Sequence, residues 1–457
     1  MSKVETFDPT TSKKLASYEQ MSRDKAFELV DAAHEAFLDW RDESFEYRAG
    51  ILHRIAGALR DHSDELARLM TCEMGKLLSA GKDEVALCAA LFDYAAEHGP
   101  EALADQPRDL GDGKSGLVTF QPIGVIYSIQ PWNFPLYQPV RVLAATLMAG
   151  NACVLKHASI CTGSALRLRE ICVDAGLPEH LFGVLIIDHD ISDEIIDHPK
   201  IRGVTLTGSD GAGRHVAAKA GAALKKTVLE LGSNDAYLVL EDADVDEAVS
   251  LSVQGRLYNN GQTCVNAKRF IVTEAVYDRF VDGFTAAMGA IRMGDPAQPE
   301  TELGPMSSFE QRETVDGQVR ESLEKGATLL CGGEIPDGEG AFYPATVLGD
   351  VTPGMPAYDD EIFGPVASVI RARDDEDAMR IANDSRYGLG GGIFSRDVER
   401  ARELARTRFD TGMVRINGFG AAHPNMPFGG VKDSGYGREH GGFGLHEFVN
   451  AKAVYLP

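Results

Sequence analysis

The chain has 457 residues, and its 69 acidic against 45 basic side chains give a formal net charge of -24 at pH 7. This length suits two or three domains, and the acidic balance argues against nucleic acid or an anionic membrane as a partner. No apolar run approaches the ~18 residues that a membrane span needs. The polar N-terminal segment also lacks a signal-like apolar core, so we expect a cytoplasmic protein.

The seven cysteines are scattered, and no two of them form a C-x-x-C pair. This spacing predicts neither a disulfide framework nor a metal site. Acidic runs such as EDADVDEA and RDDEDA suit an ordinary solvated surface, and they also suit a protein adapted to high salt. The second interpretation is a hypothesis, and full stability in low salt would contradict it.

Residues from about 22 to 76 show the apolar spacing of helices, with Ser22 and Ser44 as candidate N-caps. The stripes are Phe27, Val30, His34 and Phe37 in one segment and Ile51, Leu52, Ile55 and Leu59 in the next. We expect a helical layer that carries no chemistry of its own.

From about residue 118, short apolar runs alternate with helical segments. The runs GVIYSIQ, ACVLK, GVLIID and GVTLTG predict strands, and ALRLREICVDAG and RHVAAKAGAAL predict helices. This alternation indicates a parallel sheet with right-handed crossovers. A second unit of the same kind follows in AYLVL, KRFIVT, PVASVIRA and GLGGGIFS, and the tail ends in a β-like strip. Ligands of such sheets bind beyond the carboxyl ends of the strands.

Two motifs that follow predicted strands suggest contacts to a cofactor. In TGSDGAGR the glycines and a helix N-terminus could approach an anion, although a tight turn explains them equally well. In LKHAS, Lys156 could reach a ribose or a phosphate, or it could be a surface lysine. Neither motif is decisive alone.

Three further residues suggest catalysis. Cys264 in GQTC is either an inert buried thiol or a nucleophile. Glu230 in VLELGSN is either a base whose pKa is raised by apolar surroundings or a salt-bridged structural residue. Asn133 in QPWNFP either points its amide at an oxyanion or caps a turn.

Together the motifs resemble one family. The ordered set PWNFP, LKHAS, TGS, LELG, GQTC, EIFGP and PFGGVKDSGYGRE is similar to the NAD(P)-dependent aldehyde dehydrogenase superfamily, nearest to its succinate-semialdehyde dehydrogenase-like members. The matches run from about residue 120 to the C-terminus, and the helical N-terminal layer is compatible with them.

The resemblance implies a catalytic mechanism. Cys264 attacks the aldehyde as a thiolate, and the Asn133 amide, with the Cys264 backbone N–H, stabilises the oxyanion. Hydride transfer to the nicotinamide leaves a thioester, which water activated by Glu230 hydrolyses. The matching cofactor contacts are Trp132, Lys156, Ser159, Gly208, Ser209, Leu231, Glu361 and Phe363.

Cofactor choice follows from the charge near Lys156. Many NAD-preferring members of the family carry Glu three residues after this lysine, where it repels a 2′-phosphate. Ser159 stands there in this chain, so we expect NADP to be used, with NAD as the second candidate. His157 nearby could assist, although a solvated histidine is the simpler interpretation.

Substrate choice is expected to depend on Arg141, eight residues beyond Asn133, which matches an arginine that binds a distal carboxylate in semialdehyde dehydrogenases. Its alternative is an interhelical ion pair. The family's second arginine, six residues before the cysteine, is replaced here by Tyr258, while Arg256 could face elsewhere. Tyr258 could donate a hydrogen bond to the substrate. The expected reaction is succinate semialdehyde to succinate, with broad specificity for small aldehydes as the alternative.

The resemblance also implies an architecture of class α/β, with two Rossmann-like parallel-sheet domains and a small bridging sheet. We expect a cofactor domain at 1–100 and 122–231, a catalytic domain at 232–413, bridging elements at 101–121 and 443–457, and a return to the cofactor domain at 414–442. The bridging sheet implies a homodimer or a homotetramer.

Other classes explain fewer residues. A cofactor-independent cysteine esterase uses Cys264 and Glu230 but leaves Lys156 and Glu361 unexplained, and no histidine stands out as its base. A non-catalytic protein on this scaffold has no need for Cys264, Glu230 and Asn133 together. A CoA-acylating enzyme has no need for Glu230 as a hydrolytic base.

Overall fold

The computed structural model describes residues 2–420 and 422–457, which form two large sheets, a three-stranded sheet and two small ones. The strands are β1 Lys3–Phe7, β2 Lys14–Glu19, β3 Gln106–Gly111, β4 Lys114–Pro122, β5 Val125–Gln130, β6 Ala152–His157, β7 Phe182–Val184, β8 Ile201–Thr207, β9 Lys226–Glu230, β10 Ala236–Val239, β11 Arg269–Thr273, β12 Thr328–Cys331, β13 Thr346–Gly349, β14 Val366–Ala372, β15 Tyr387–Gly388, β16 Gly391–Phe394, β17 Arg415–Ile416, β18 Val431–Lys432, β19 Gly435–Tyr436 and β20 Val449–Leu456. The helices are α1 Arg23–Trp40, α2 Phe45–Asp61, α3 Ser63–Met74, α4 Leu78–Ala102, α5 Tyr137–Met148, α6 Thr162–Asp174, α7 His189–Asp197, α8 Asp210–Ala222, α9 Val245–Leu257, α10 Tyr277–Gly289, α11 Phe309–Glu324, α12 Pro356–Asp359, α13 Asp375–Asn383, α14 Val398–Thr407 and α15 Phe443–Glu447.

The N-terminal helices begin where their caps predict. The Ser22 hydroxyl accepts from the Lys25 N–H at 3.3 Å, and the Ser44 hydroxyl accepts from the Tyr47 N–H at 3.1 Å. Each bond satisfies an N–H group that the first helical turn leaves free. An antiparallel hairpin of β1 and β2 precedes these helices, and the sequence reasoning missed it.

The first large sheet has the strand order β19-β9-β8-β5-β6-β7. Its strands β5 to β9 are parallel, and β19 adds antiparallel to β9 through the Gly435–Glu230 pair. The helices α1 to α4 share one apolar core with this sheet. Because β5, β8 and β9 run in the same direction, the residues that follow them meet at one edge.

The second large sheet has the order β12-β13-β14-β11-β10-β16-β17, and only its edge strand β12 is antiparallel. The predicted limit of this unit at 413 is too early, because Ile393 pairs with Ile416 and Gly392 with Arg415. Arg415 and Ile416 therefore extend the second sheet beyond residue 413.

The third sheet joins chain segments that are far apart in sequence. Strand β20 pairs antiparallel with β4 from Val449–Pro122 to Leu456–Ser115, and β3 forms the other edge. The predicted start of this element at 101 is early, since α4 continues to Ala102. No helix in the described ranges is both long and apolar enough to cross a bilayer.

Candidate active site

Two cavities of similar volume meet at Cys264. One of about 260 Å³ is lined by residues that follow β5, β8 and β9, and by Glu361 and Phe363. The other, of about 250 Å³, is lined mainly by aromatic and aliphatic side chains. Cys264 and Gln138 line both cavities, so a group on the Cys264 sulfur is within reach of a ligand on either side.

The Cys264 loop is held by an unusual backbone. Asn259 and Asn260 have left-handed φ values of 54° and 56°, and Gly261 follows with 74°. A Cβ on Gly261 would lie 2.4 Å from the Gly364 carbonyl, so only glycine fits there. The Asn260 side chain bonds the backbone of Gly75 and Gly304 at 2.9 and 2.8 Å, which anchors the turn to two other segments.

Lys268 fixes the backbone of the nucleophile. Its buried ammonium donates to the carbonyl oxygens of Cys264 at 2.7 Å and Thr263 at 3.1 Å. It also donates to the Ser233 hydroxyl at 3.0 Å and pairs with the Glu361 carboxylate at 3.0 Å. One cation therefore joins the Cys264 loop to a residue of the cofactor-side cavity.

Burial raises the pKa of the Cys264 thiol to about 12, against the opposing effect of the Arg141 and Lys268 charges. A pKa raised in this way favours the protonated thiol at neutral pH. Since the thiolate is the reactive form, catalysis needs a group that removes this proton.

Asn133 is oriented from several sides. Its amide nitrogen donates to the Gln262 carbonyl at 3.2 Å, and its side-chain oxygen accepts from Gln138 at 3.2 Å. Its backbone carbonyl accepts from Lys76 at 3.1 Å and Asn259 at 2.8 Å. The amide lines the same cavity as Cys264 and retains a second N–H, as an oxyanion donor requires.

Glu230 ends β9 and is only 2 % exposed. Burial raises the pKa of its carboxyl group well above the usual value, and the Arg141 charge opposes this effect. A Cβ on Gly429 would lie 2.7 Å from a Glu230 carboxylate oxygen, so the glycine at 429 gives this side chain its space. Both carboxylate oxygens are buried without a hydrogen-bond partner in the described part of the chain, and Glu230 is absent from the lining of both cavities at Cys264.

Six of the eight predicted cofactor residues line the 260 Å³ cavity, namely Trp132, Gly208, Ser209, Leu231, Glu361 and Phe363. The Trp132 and Phe363 rings meet edge to face at 5.6 Å. Ser209 caps α8, whose N-terminus opens at the cavity. A Cβ on Gly213 would lie 2.5 Å from Leu231, so the glycine lets Leu231 pack against the first turn of α8.

These features fit a nicotinamide dinucleotide. The cavity offers apolar walls for a flat ring, a helix N-terminus for a pyrophosphate and the Glu361 carboxylate for ribose hydroxyls. One oxygen of Glu361 pairs only with Lys268, and no donor hydroxyl satisfies it among residues 2–420 and 422–457. A ribose would supply that donor.

Lys156 and Ser159 do not line this cavity and lie at the carboxyl end of β6. Burial lowers the pKa of Lys156, and the Asp188 charge opposes the shift. The expectation of a solvated His157 is wrong, because the ring is buried and contacts Pro135 O at 2.8 Å and Ala158 N at 2.7 Å. Burial lowers the pKa of His157 to about 4, so the ring is neutral.

Arg141 was expected to face the substrate, but it does not line the substrate-side cavity. Its Nε lies 2.5 Å from the buried Glu439 carboxylate, and its Nη2 donates to Thr207 at 2.7 Å. Its guanidinium lies over the rings of Tyr137 and Phe428 at 5.4 and 4.9 Å. The structure contains an ion pair, because a buried carboxylate needs a countercharge, but the pair is not interhelical as the alternative expected, since Glu439 lies between β19 and α15.

Tyr258 lines the 250 Å³ cavity with Phe134 and Phe419 beside its ring. Arg256 faces away, and its guanidinium donates to the carbonyls of Ala267 at 2.9 Å and Gly364 at 2.6 Å. The role of Tyr258 in binding stays a prediction.

Several lining residues were not predicted. On the substrate side they are Leu87, Phe134, Tyr137, Gln138, Thr263, Val265, Arg415, Phe419, Gly420, Ala422 and Phe428. Some stand inside quoted motifs, such as Phe134 in PWNFP and Phe428 in PFGGVKDSGYGRE, and motif membership could have flagged them. Leu87 and Arg415 carry no such signal.

Comparison with known proteins gives the class. The model of the aldehyde dehydrogenase family matches residues 1–454, and the chain belongs to that family. The predicted fold class and the predicted kind of enzyme, a dehydrogenase acting on aldehydes, are thereby confirmed.

Several similar proteins within this family are named succinate-semialdehyde dehydrogenases. The chain is 43% identical over 449 residues to the succinate-semialdehyde dehydrogenase [NADP(+)] of Deinococcus radiodurans, covering 98% of this chain and 94% of the relative. It is 44% identical over 450 residues to the succinate semialdehyde dehydrogenase [NAD(P)+] Sad of Escherichia coli, covering 98% and 97%. The succinic semialdehyde dehydrogenase of Streptococcus pyogenes, solved with NADP+, superposes with a TM-score of 0.97 at 40% identity, covering 99% of this chain and 100% of that one.

Proposed function

We propose that this enzyme oxidises succinate semialdehyde to succinate with NADP+, and that NAD+ also serves. The observation that carries the proposal is the position of Cys264, which is shared by a cavity lined by six of the predicted cofactor residues and a mainly apolar cavity of similar volume. The names of the Deinococcus radiodurans and Escherichia coli relatives support the substrate and both cofactors.

The residues divide the reaction into two halves. The Cys264 thiol gives its proton to solvent water and the thiolate attacks the aldehyde carbon, while the Asn133 amide and the Cys264 backbone N–H donate to the oxyanion. The residues that line the 260 Å³ cavity would hold NADP+, which would supply the acceptor for a hydride from the thiohemiacetal carbon, and the adduct would become a thioester. Glu230 then takes a proton from water, the water oxygen attacks the thioester, and the C–S bond breaks to release carboxylate and Cys264.

The charge near the adenosine ribose underlies the proposed cofactor preference. Lys156 brings a cation to the end of β6, and Ser159 brings a hydroxyl where a carboxylate would repel a 2′-phosphate. We expect a kcat/KM for NADP+ within a hundredfold of that for NAD+ or above it. A larger deficit for NADP+ would overturn this part of the proposal.

A panel of aldehydes, each measured with both cofactors, tests the whole proposal. Succinate semialdehyde should give the highest kcat/KM, followed by uncharged aldehydes of similar length, because the 250 Å³ cavity is mainly apolar. Equal values for all small aldehydes would favour the broad-specificity alternative. A Cys264→Ala variant in the same assay separates enzymatic oxidation from background.

We also propose a homo-oligomer. Strand β20 is an edge of the three-stranded sheet, and it exposes Tyr455 and Leu456 by 78% and 46%. Such an edge is a template for pairing with another chain. Light scattering coupled to size-exclusion chromatography should give a dimer or a tetramer, and a monomer at micromolar concentration would contradict the proposal.

A further inference from the structure

The substrate-side cavity of about 250 Å³ contains one formally charged side chain, that of Arg415, among its lining residues. The other lining groups that can form hydrogen bonds through their side chains include Gln138, Tyr258 and Thr263. The remaining surface is largely aromatic or aliphatic. A ligand that carries a negative charge into this cavity therefore has one cation to bind.

Arg141 does not line this cavity, although its buried Nη1 has no hydrogen-bond partner in the described part of the chain. Its Nε lies 2.5 Å from the Glu439 carboxylate, and its Nη2 donates to Thr207 at 2.7 Å. Its side chain has no exposed surface. The rings of Tyr137 and Phe428, which it contacts, line the cavity in its place.

Arg415 is held at one nitrogen and open at the others. It lies on the edge strand β17, and its Nε donates to the Gly420 carbonyl at 3.1 Å. Within residues 2–420 and 422–457, neither Nη1 nor Nη2 forms a hydrogen bond, and no carboxylate lies within 4.0 Å of the group.

The geometry suits a carboxylate ligand. A guanidinium presents its donors in a planar fork that matches the two oxygens of a carboxylate. The bond from Nε to Gly420 fixes the plane of the group, which reduces the rotamer entropy lost on binding. The two Nη groups remain to bind the ligand.

We propose that Arg415 binds the distal carboxylate of the substrate and thereby determines the preference for an ω-carboxy aldehyde. This inference rests on the proposed function, since it assumes that an aldehyde reaches Cys264 through the same cavity. It replaces Arg141 as the specificity-determining residue and leaves Arg141 as the countercharge of Glu439.

The first experiment compares succinate semialdehyde with butanal, which has the same four carbons and no carboxylate. The Arg415→Gln variant should lose tenfold to a hundredfold in kcat/KM for succinate semialdehyde, mostly through KM, because a hydrogen-bonded charge is removed. The value for butanal should stay within about twofold. Arg406→Gln is the matched control, since Arg406 is 70% exposed on α14. An equal loss for both aldehydes, or no loss for either, would overturn the assignment.

Charge reversal gives a second and independent readout. Arg415→Glu should favour an aldehyde with a distal quaternary ammonium group, such as 4-(trimethylammonio)butanal, over succinate semialdehyde. The ratio of the two kcat/KM values should change by more than a hundredfold relative to the parent enzyme. An unchanged ratio would place the carboxylate subsite elsewhere.

A third readout does not depend on turnover and separates the two proposals. Succinate should slow the alkylation of Cys264 by iodoacetamide at about pH 9, and the concentration for half-protection should rise at least tenfold in Arg415→Gln. If the parent enzyme oxidises no aldehyde, the proposed function fails, while this protection still tests Arg415. Equal protection of both proteins, or of neither, would contradict its role.

Discussion

The two cavities beside Cys264 are almost equal in volume, about 260 and 250 Å³, but they are built from different parts of the fold. The cofactor side is formed largely by residues that directly follow β5, β8 and β9, together with Glu361 and Phe363. The substrate side draws on α4, on Tyr258 after α9 and on the segment that follows β17, and it also includes Phe134 before α5 and Tyr137 at the start of α5. The comparison indicates that the shared chemistry depends on strand ends, whereas specificity depends on segments that happen to pack against them.

The largest effect is expected from substituting Cys264, the reactive residue that lines both cavities. Cys264→Ala should lower kcat by at least ~10⁴ for every aldehyde, because no other group can form the covalent intermediate. Binding of NADP+ should persist, and quenching of tryptophan fluorescence can report it, since Trp132 lines the cofactor cavity and the only other tryptophan, Trp40, is buried elsewhere. Cys72→Ser, at an exposed cysteine, is the control. If the Cys264→Ala variant kept its turnover, Cys264 would not be the nucleophile.

Glu230→Gln is expected to come next, with steady-state turnover lower by about 10²–10⁴ because the general base is lost. A rapid first turnover followed by slow release would show that acylation survives while the thioester persists.

The pH dependence of kcat has a defined sign. Because the pKa of Glu230 is raised, the carboxyl group is protonated at low pH, so kcat should rise with pH through a region well above about 4.3. This acidic limb should be absent in Glu230→Gln, and an identical profile in both enzymes would assign the base elsewhere.

Asn133→Ala should lower kcat by about 10²–10³ through the loss of one oxyanion donor. The loss should be the same for succinate semialdehyde and butanal, since the amide acts on the aldehyde oxygen that both share. Thermal unfolding of the variant checks that the buried site tolerates the change. A loss confined to one aldehyde would place Asn133 in substrate selection and weaken the contrast between the two cavities.

Ser159→Glu should have the smallest effect and act on the cofactor alone. The new carboxylate should repel the 2′-phosphate and lower kcat/KM for NADP+ by at least about tenfold, while NAD+ changes little. The ratio of succinate semialdehyde to butanal should not move. Ser250→Glu, on α9, is a control for the added charge. A matching shift in substrate preference would show that the two cavities are not independent.

The cofactor side was largely predictable from the sequence. Asn133, Gly208 and Glu230 each follow or end a recognisable strand, and the ends of parallel strands must meet at one edge. The motifs add the chemistry of each position. That is why six of eight predicted contacts line one cavity.

The substrate side was not predictable in the same way. Leu87 reaches the cavity because α4 packs against α5, and Arg415 reaches it because a two-residue strand joins the second sheet after the expected domain limit. Arg141 and Glu439 are distant in sequence and form a pair that no local pattern shows. Each placement depends on tertiary packing, which periodicity and motif spacing do not contain.

The position of Asn133 affects how the enzyme loses activity in denaturant. Asn133 follows β5 of the first sheet, while Gln262 and Cys264 lie between α9 and β11 of the second unit, and contacts such as the 3.2 Å bond from Asn133 to Gln262 hold them together. A slight separation of the two units breaks the oxyanion site before either sheet melts. In dilute denaturant, inactivation should therefore precede the loss of circular dichroism, and activity is a more sensitive measure of domain contact than secondary structure.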